Sequence, residues 1–175
     1  WQTAGNWEYP FKRYKLAGVW WNKEIDIVEP DFIAASCYMW NWKITYDALK
    51  EIKKKYPKCR IVVGGPEPQY TSEWCKKHPE IDAVLAYYGE ETMRRLLVDD
   101  ELNIPGVVTK DFNNAAEAEY ADPKMIPSPY LNGFFDSLLE GNTQKVRAIF
   151  EGNRGCPYTC SFCDIGHKKY TKIQM

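Results

Sequence analysis

Arg60-Ile61-Val62-Val63-Gly64-Gly65-Pro66 is the stretch on which the fold turns. A β-branched run closed by a glycine pair and a proline reads as a strand that leads into a tight loop. Upstream, Pro57 stops a helix whose apolar face is Trp42, Tyr46, Leu49, Ile52 and Tyr56, while Lys50, Glu51, Lys53, Lys54 and Lys55 cover its other side. Before that helix, Asp31-Phe32-Ile33-Ala34-Ala35-Ser36 is a short apolar run ending in small residues, which suits a buried strand of a parallel sheet. Downstream the alternation continues. Thr71 to His78 suits a short helix, Ala83 to Tyr87 a strand, Glu90 to Val98 a helix and Val107-Val108-Thr109 a further strand. Such a series predicts an α/β domain with a doubly wound, Rossmann-like parallel sheet. Its ligands belong beyond the carboxyl ends of the strands, where Ser36, Gly64 and Gly65 lie. The glycine pair reads equally well as a plain turn. No Gly-x-Gly-x-x-Gly or Walker sequence is present, which excludes nucleotide binding of those two types.

The chain has 175 residues, 45% of them hydrophobic and 27% charged, with a formal net charge of -1. That composition supports a packed core and gives no overall attraction to nucleic acid or anionic lipid. No apolar run approaches the roughly 20 residues of a membrane-spanning helix, and Trp1 to Pro10 lacks the basic start and apolar middle of a signal peptide. A cytoplasmic protein is the expectation. The basic run from His167 to Lys172 reads as a solvated face, so nucleic acid is not an expected partner. The aromatics around Trp20-Trp21 and from Tyr38 to Trp42 suit either core packing or the wall of a cavity for a large planar cofactor. Near Ala121 the composition shifts: Asp122-Pro123, Pro127-Ser128-Pro129 and Asn132-Gly133 break regular structure. The expected organisation is an α/β domain over 1–120, a linker or strap over 121–140, and the start of a second domain over 141–175, where Val146 to Phe150 forms a strand.

Six cysteines divide unevenly. Cys37, Cys59 and Cys75 are scattered and read as small buried hydrophobes. Cys156, Cys160 and Cys163 follow C-x3-C-x2-C spacing, close enough for one loop to deliver three thiolates to a zinc ion or an iron-sulfur cluster. A cubic four-iron cluster held by three cysteines keeps one iron open to a small molecule. With His167, the same cysteines make a formal Cys3His zinc set, a competing reading in which the chain is a structural zinc module on an α/β domain. A third reading is a non-catalytic module that binds cobalamin or another small molecule.

Cys156-x3-Cys160-x-Phe162-Cys163, with Arg154-Gly155 before it and Pro157-Tyr158 within it, resembles the signature of radical S-adenosylmethionine (SAM) enzymes, in the form carried by members with an amino-terminal cobalamin-binding domain. Ile61 to Glu67, Asp82-Ala83-Val84, Gly89-Glu90-Glu91-Thr92, Ile104-Pro105-Gly106 and Ile126 to Tyr130 are similar to that subfamily in order and spacing. The resemblance implies that Cys156, Cys160 and Cys163 hold a 4Fe-4S cluster and that SAM chelates its open iron. Phe162 would pack near the adenine, and Ser36, Gly64 and Gly65 would flank the nucleotide tail of any bound cobalamin. It implies reductive cleavage of SAM to a 5'-deoxyadenosyl radical, a flavodoxin- or ferredoxin-like reductant, and a substrate that this stretch does not reveal.

Two departures stand out. The Asp-x-His-x-x-Gly motif that supplies a histidine to cobalt is missing, since His78 and His167 are the only histidines and neither fits it. The motif lies before Trp1, or cobalamin binds without that ligand, or the domain keeps the fold without the cofactor. Only Asp164 to Met175 follow the last cysteine, too few to complete the partial β/α barrel of a radical SAM domain. The expectation is a fragment, inactive alone, of a longer enzyme.

Overall fold

In a computed structural model of the chain, the described residues are 6–8 and 13–15 (backbone only), 30–119, 121, 122, 124, 126–140, 154–158 and 160–163. By its internal contacts the chain divides into Trp1–Tyr120 and Ala121–Met175.

In the first unit, β1 (Asn6–Glu8) and β2 (Arg13–Lys15) form an antiparallel pair. The main sheet is built from β3 (Phe32–Ser36), β4 (Arg60–Gly64), β5 (Ala83–Leu85) and β6 (Val107–Val108), in that spatial order. Helix α1 (Trp42–Lys55) connects β3 to β4, α2 (Ser72–Lys77) connects β4 to β5, and α3 (Glu90–Asp99) connects β5 to β6. Lys53, Lys54 and Lys55 fill the last turn of α1, where cations offset the helix dipole. The α2 helix starts on Thr71, whose hydroxyl accepts from the Trp74 amide at 3.2 Å.

The strand pleat sorts the core onto two faces. Ile33, Cys37, Ile61, Val63, Val84 and Ala86 pack with Leu49 and Ile52 of α1 and Trp74 and Cys75 of α2. Phe32, Val62, Ala83, Leu85 and Val107 pack with Leu96 and Leu97 of α3. Helices therefore cover both faces, as expected. Cys37, Cys59 and Cys75 are all buried, as small hydrophobes should be. At the amino ends of the strands Asp82 joins three elements: its Oδ2 accepts from the Ile61 amide at 2.7 Å and from Lys53 Nζ at 2.8 Å, and Lys53 also donates to the Cys59 carbonyl at 2.8 Å.

The expectation of an all-parallel sheet needs correcting. β3, β4 and β5 are parallel, but β6 runs antiparallel to β5, and the strand order is sequential without reversal among the described strands. After α3 ends at Asp100, Glu101 to Gly106 can reach about 20 Å at ~3.3 Å per residue, which takes the chain back to the carboxyl end of the sheet before β6 begins. Gly106 accepts there from the Ala86 amide at 2.9 Å. Val107-Val108 then enters from that end and turns back through a bridge between Val108 and Asn113. Alternation of strand and helix patterns does not encode this climb. The third strand is also shorter than the sequence suggests, ending at Leu85, because Tyr87 takes a left-handed backbone with φ +59°.

In the second unit, the Leu131 and Asn132 amides both donate to the Ser128 carbonyl at 3.1 Å, and a short helix α4 (Asp136–Leu139) follows. The expected strand Val146 to Phe150 lies outside the described residues.

Candidate cofactor cradle at the carboxyl ends of the strands

Ser36 and Gly64 are register partners at the ends of β3 and β4, and both lie on the face that carries α3. The helix covers Phe32 and Val62 but stops short of the strand ends: Ala34 and Ser36 are exposed and Gly64 is half-buried. The result is an open trough floored by small residues. Gly89, at the start of α3, borders the same face; a Cβ on it would stand 3.7 Å from Leu85 Cβ.

The two glycines of the pair play different parts. Gly65 has φ +94°, and a Cβ there would stand 2.5 Å from the Cys37 carbonyl oxygen, so the fold itself demands glycine. That close approach seats the loop on the end of β3, where the Glu67 amide donates to the Cys37 carbonyl at 3.1 Å and the Cys37 amide to Gly64 at 2.7 Å. Gly64 carries no such demand. Its Cβ would meet the Leu85 carbonyl oxygen at 3.6 Å and Leu85 Cβ at 3.9 Å, both ordinary contacts. The missing side chain leaves space above the sheet that a larger residue would occupy. A plain turn accounts for Gly65 and does not account for Gly64.

The loop after β3 is pinned by Asn41, whose Oδ1 accepts from the Tyr38 amide at 2.7 Å and whose Nδ2 donates to the Ser36 carbonyl at 3.1 Å. This holds out a stacked aromatic pair, Tyr38 on Trp40 at 4.6 Å, with Met39 81% and Trp40 72% exposed. Trp42 belongs instead to the core side, packed with Tyr46, Trp74 and His78. Trp20 and Trp21 lie outside the described residues. The Cys37 thiol, beneath the loop, is pushed up to about 12 by burial and secondarily by the charge of Glu67. At neutral pH it is therefore a protonated thiol, packed as a small hydrophobe.

His78 is the one histidine among the described residues. Its Nδ1 lies 2.8 Å from the Trp74 carbonyl and its ring stacks on Trp74 at 3.9 Å, at the carboxyl end of α2. It contributes nothing to the trough.

In the second unit, Cys156 and Cys163 are half-buried, Cys160 is exposed, and all three are free thiols. The Cys163 amide donates to the Cys160 carbonyl at 3.1 Å, so these two close one turn. Phe162 stands 91% exposed beside them. Among the described residues no three His, Cys, Asp or Glu side chains are gathered closely enough for a metal ion. As a donor set, three cysteines on one short loop suit an iron-sulfur cluster, but as folded here they do not converge. Asp164 and His167 lie outside the described residues.

Sequence reading gave no part in the site to four residues that border the trough or its loops: Asn41, Tyr70, Tyr87 and Gly89. Asn41 and Gly89 each stand just before a helix, a position where such residues signal a cap, and could have been found that way. Tyr70 and Tyr87 carry no local signal. Among the described residues no helix is long and apolar enough to cross a membrane.

Residues 23–97, which include the whole of β3, α1, β4, α2 and β5, match the family model of the B12 binding domain. The chain is 38% identical over 154 residues to the cobalamin-dependent radical SAM methyltransferase TokK of Streptomyces tokunonensis, covering 80% of this chain and 23% of that protein. It is 32% identical over 163 residues to a 2-(S-pantetheinyl)-carbapenam-3-carboxylate methyltransferase of Streptantibioticus cattleyicolor (85% and 24%). It is 29% identical over 153 residues to a hopanoid C-3 methylase of Methylococcus capsulatus (81% and 29%). The chain thus spans about a quarter of the length of the relatives it matches. Residues 23–97 thus match a B12 binding domain across the strands that end at the trough, and the chain that carries them is similar to a radical SAM methyltransferase that depends on cobalamin.

Proposed function

We propose that the chain is the cobalamin-binding portion of a radical SAM methyltransferase and that the nucleotide tail of cobalamin lies in the trough, flanked by Ser36, Gly64 and Gly65. The observation that carries this reading is Gly64, a glycine that neither backbone nor packing requires, in a trough within the B12-binding match. No histidine stands at the trough among the described residues, and Ser36, Gly64 and Gly65 would hold cobalamin by its tail. Cys156, Cys160 and Cys163 hold a 4Fe-4S cluster and Phe162 packs near the adenine of SAM. Exposure of Phe162 and of Cys160 suits a loop that orders around a cluster and an adenosyl group. When bound, these groups supply a reductively generated 5'-deoxyadenosyl radical and a methyl carrier, while the protein orients and shields them. A flavodoxin- or ferredoxin-like protein supplies the electron, and the names of the relatives point to methyl transfer as the outcome.

Titration of the full chain with hydroxocobalamin, followed by absorbance and by comigration on a sizing column, tests the first part. Binding by the wild type and its loss in Gly64→Val is expected; equal binding by the two, or none by either, overturns it. Iron and acid-labile sulfide after anaerobic reconstitution test the second, where zinc without sulfide is the contrary result.

A further inference from the structure

Tyr87 breaks the pleat of β5 at the edge of the trough. Val84 and Ala86 face the core shared with α1 and α2, and Leu85 faces α3. Regular continuation would send the residue after Ala86 to the α3 side, one row beyond the Leu85 backbone against which Gly64 packs. A tyrosine there would overhang Gly64 and Ser36. Tyr87 instead has φ +59°, a conformation that residues with a Cβ rarely adopt. Its ring packs on the α1 and α2 side, edge-on to Tyr70 at 5.0 Å, and the Tyr70 hydroxyl donates to the Gly65 carbonyl at 3.4 Å. The row beyond Leu85 is left to Gly89, which has no side chain to fill it.

We infer that Tyr87 is a positioning residue: its left-handed backbone, anchored by Tyr70, swings the ring to the far face of the sheet and keeps the mouth of the Ser36–Gly64 trough clear for the cofactor tail. The inference deepens the cobalamin reading given above and rests on it for the identity of the ligand.

Three variants of the full chain separate positioning from simple packing. Tyr87→Gly removes the ring yet accepts positive φ; Tyr87→Val removes the ring and resists it; Tyr87→Ala stands between and serves should the valine variant fail to fold. The Tyr70 contact is lost in all three, so thermal stability by itself does not order them. Hydroxocobalamin affinity is expected to stay within about threefold of wild type for glycine. It should fall severalfold for valine, whose β-branching adds to the left-handed penalty that tyrosine already bears, with alanine between. In parallel, Ser36→Cys is introduced into each background and its alkylation by a small maleimide is followed by peptide mass mapping, which distinguishes it from the native thiols. Labelling should be slowed several-fold in the valine background and unchanged in the glycine one. The inference is overturned if valine binds and labels like wild type, or if glycine loses as much as valine. Should wild type take up no cobalamin, the ligand assignment fails while the labelling rates still decide whether Tyr87 holds the trough open.

Discussion

Gly64 and Gly65 are adjacent in sequence and opposite in reason. Gly65 is held by its φ of +94° and by the Cys37 carbonyl, so Gly65→Ala should cost about 1–3 kcal/mol in a urea titration, through strain and displacement of the loop. Gly64→Ala meets only ordinary contacts, and its unfolding midpoint should stay close to wild type. A sequence reader sees a pair; only the distance to Cys37, a residue 28 positions upstream of Gly65, separates them. Asp82 is a second residue whose role became visible in three dimensions. Its carboxylate satisfies the Ile61 amide and Lys53 together, so Asp82→Ala leaves a backbone donor and an ammonium short of a partner, with an expected loss of about 1–3 kcal/mol and no specific effect on cobalamin affinity.

At the scale of elements, α1 was legible because its apolar spacing matches a helical period, and it is seen where that spacing puts it. Leu49 of α1 is fully buried, and Leu49→Ala should cost roughly 2–5 kcal/mol by chemical denaturation. The start of α3 has an acid-sensitive clasp. The guanidinium of Arg94, and after it that of Arg95, holds the Glu91 carboxyl at about 2, below the ordinary 4.5. A depressed carboxyl stabilises the fold fully above pH 4.5, and that contribution drains away as pH falls towards about 2. Glu91→Gln should therefore flatten the acid limb of a melting-temperature profile in that window. At neutral pH the cost should be no more than about 1 kcal/mol, because Arg94 is largely solvent-exposed. Strand direction was not legible: Val107-Val108 has the residues of a strand whichever way it runs.

At the scale of the whole molecule, the α/β unit and the cysteine loop make separable claims. Replacing Cys156, Cys160 or Cys163 by alanine should lower iron content after reconstitution to well under half that of the wild type while leaving cobalamin uptake by the first unit intact; simultaneous loss of both would deny that separation. The sequence alone determined the succession of strands and helices from β3 to β6 and the burial of Cys37, Cys59 and Cys75, because periodicity and side-chain hydrophobicity are local and act wherever the chain goes. Tertiary structure decided the direction of β6, the parting of Gly64 from Gly65, and the turn of Tyr87 away from the trough. Each of these depends on which distant atom stands within a few ångströms, Val84 for Val108, Cys37 for Gly65 and Tyr70 for Tyr87, and packing between segments far apart in the chain is written in no single stretch of it.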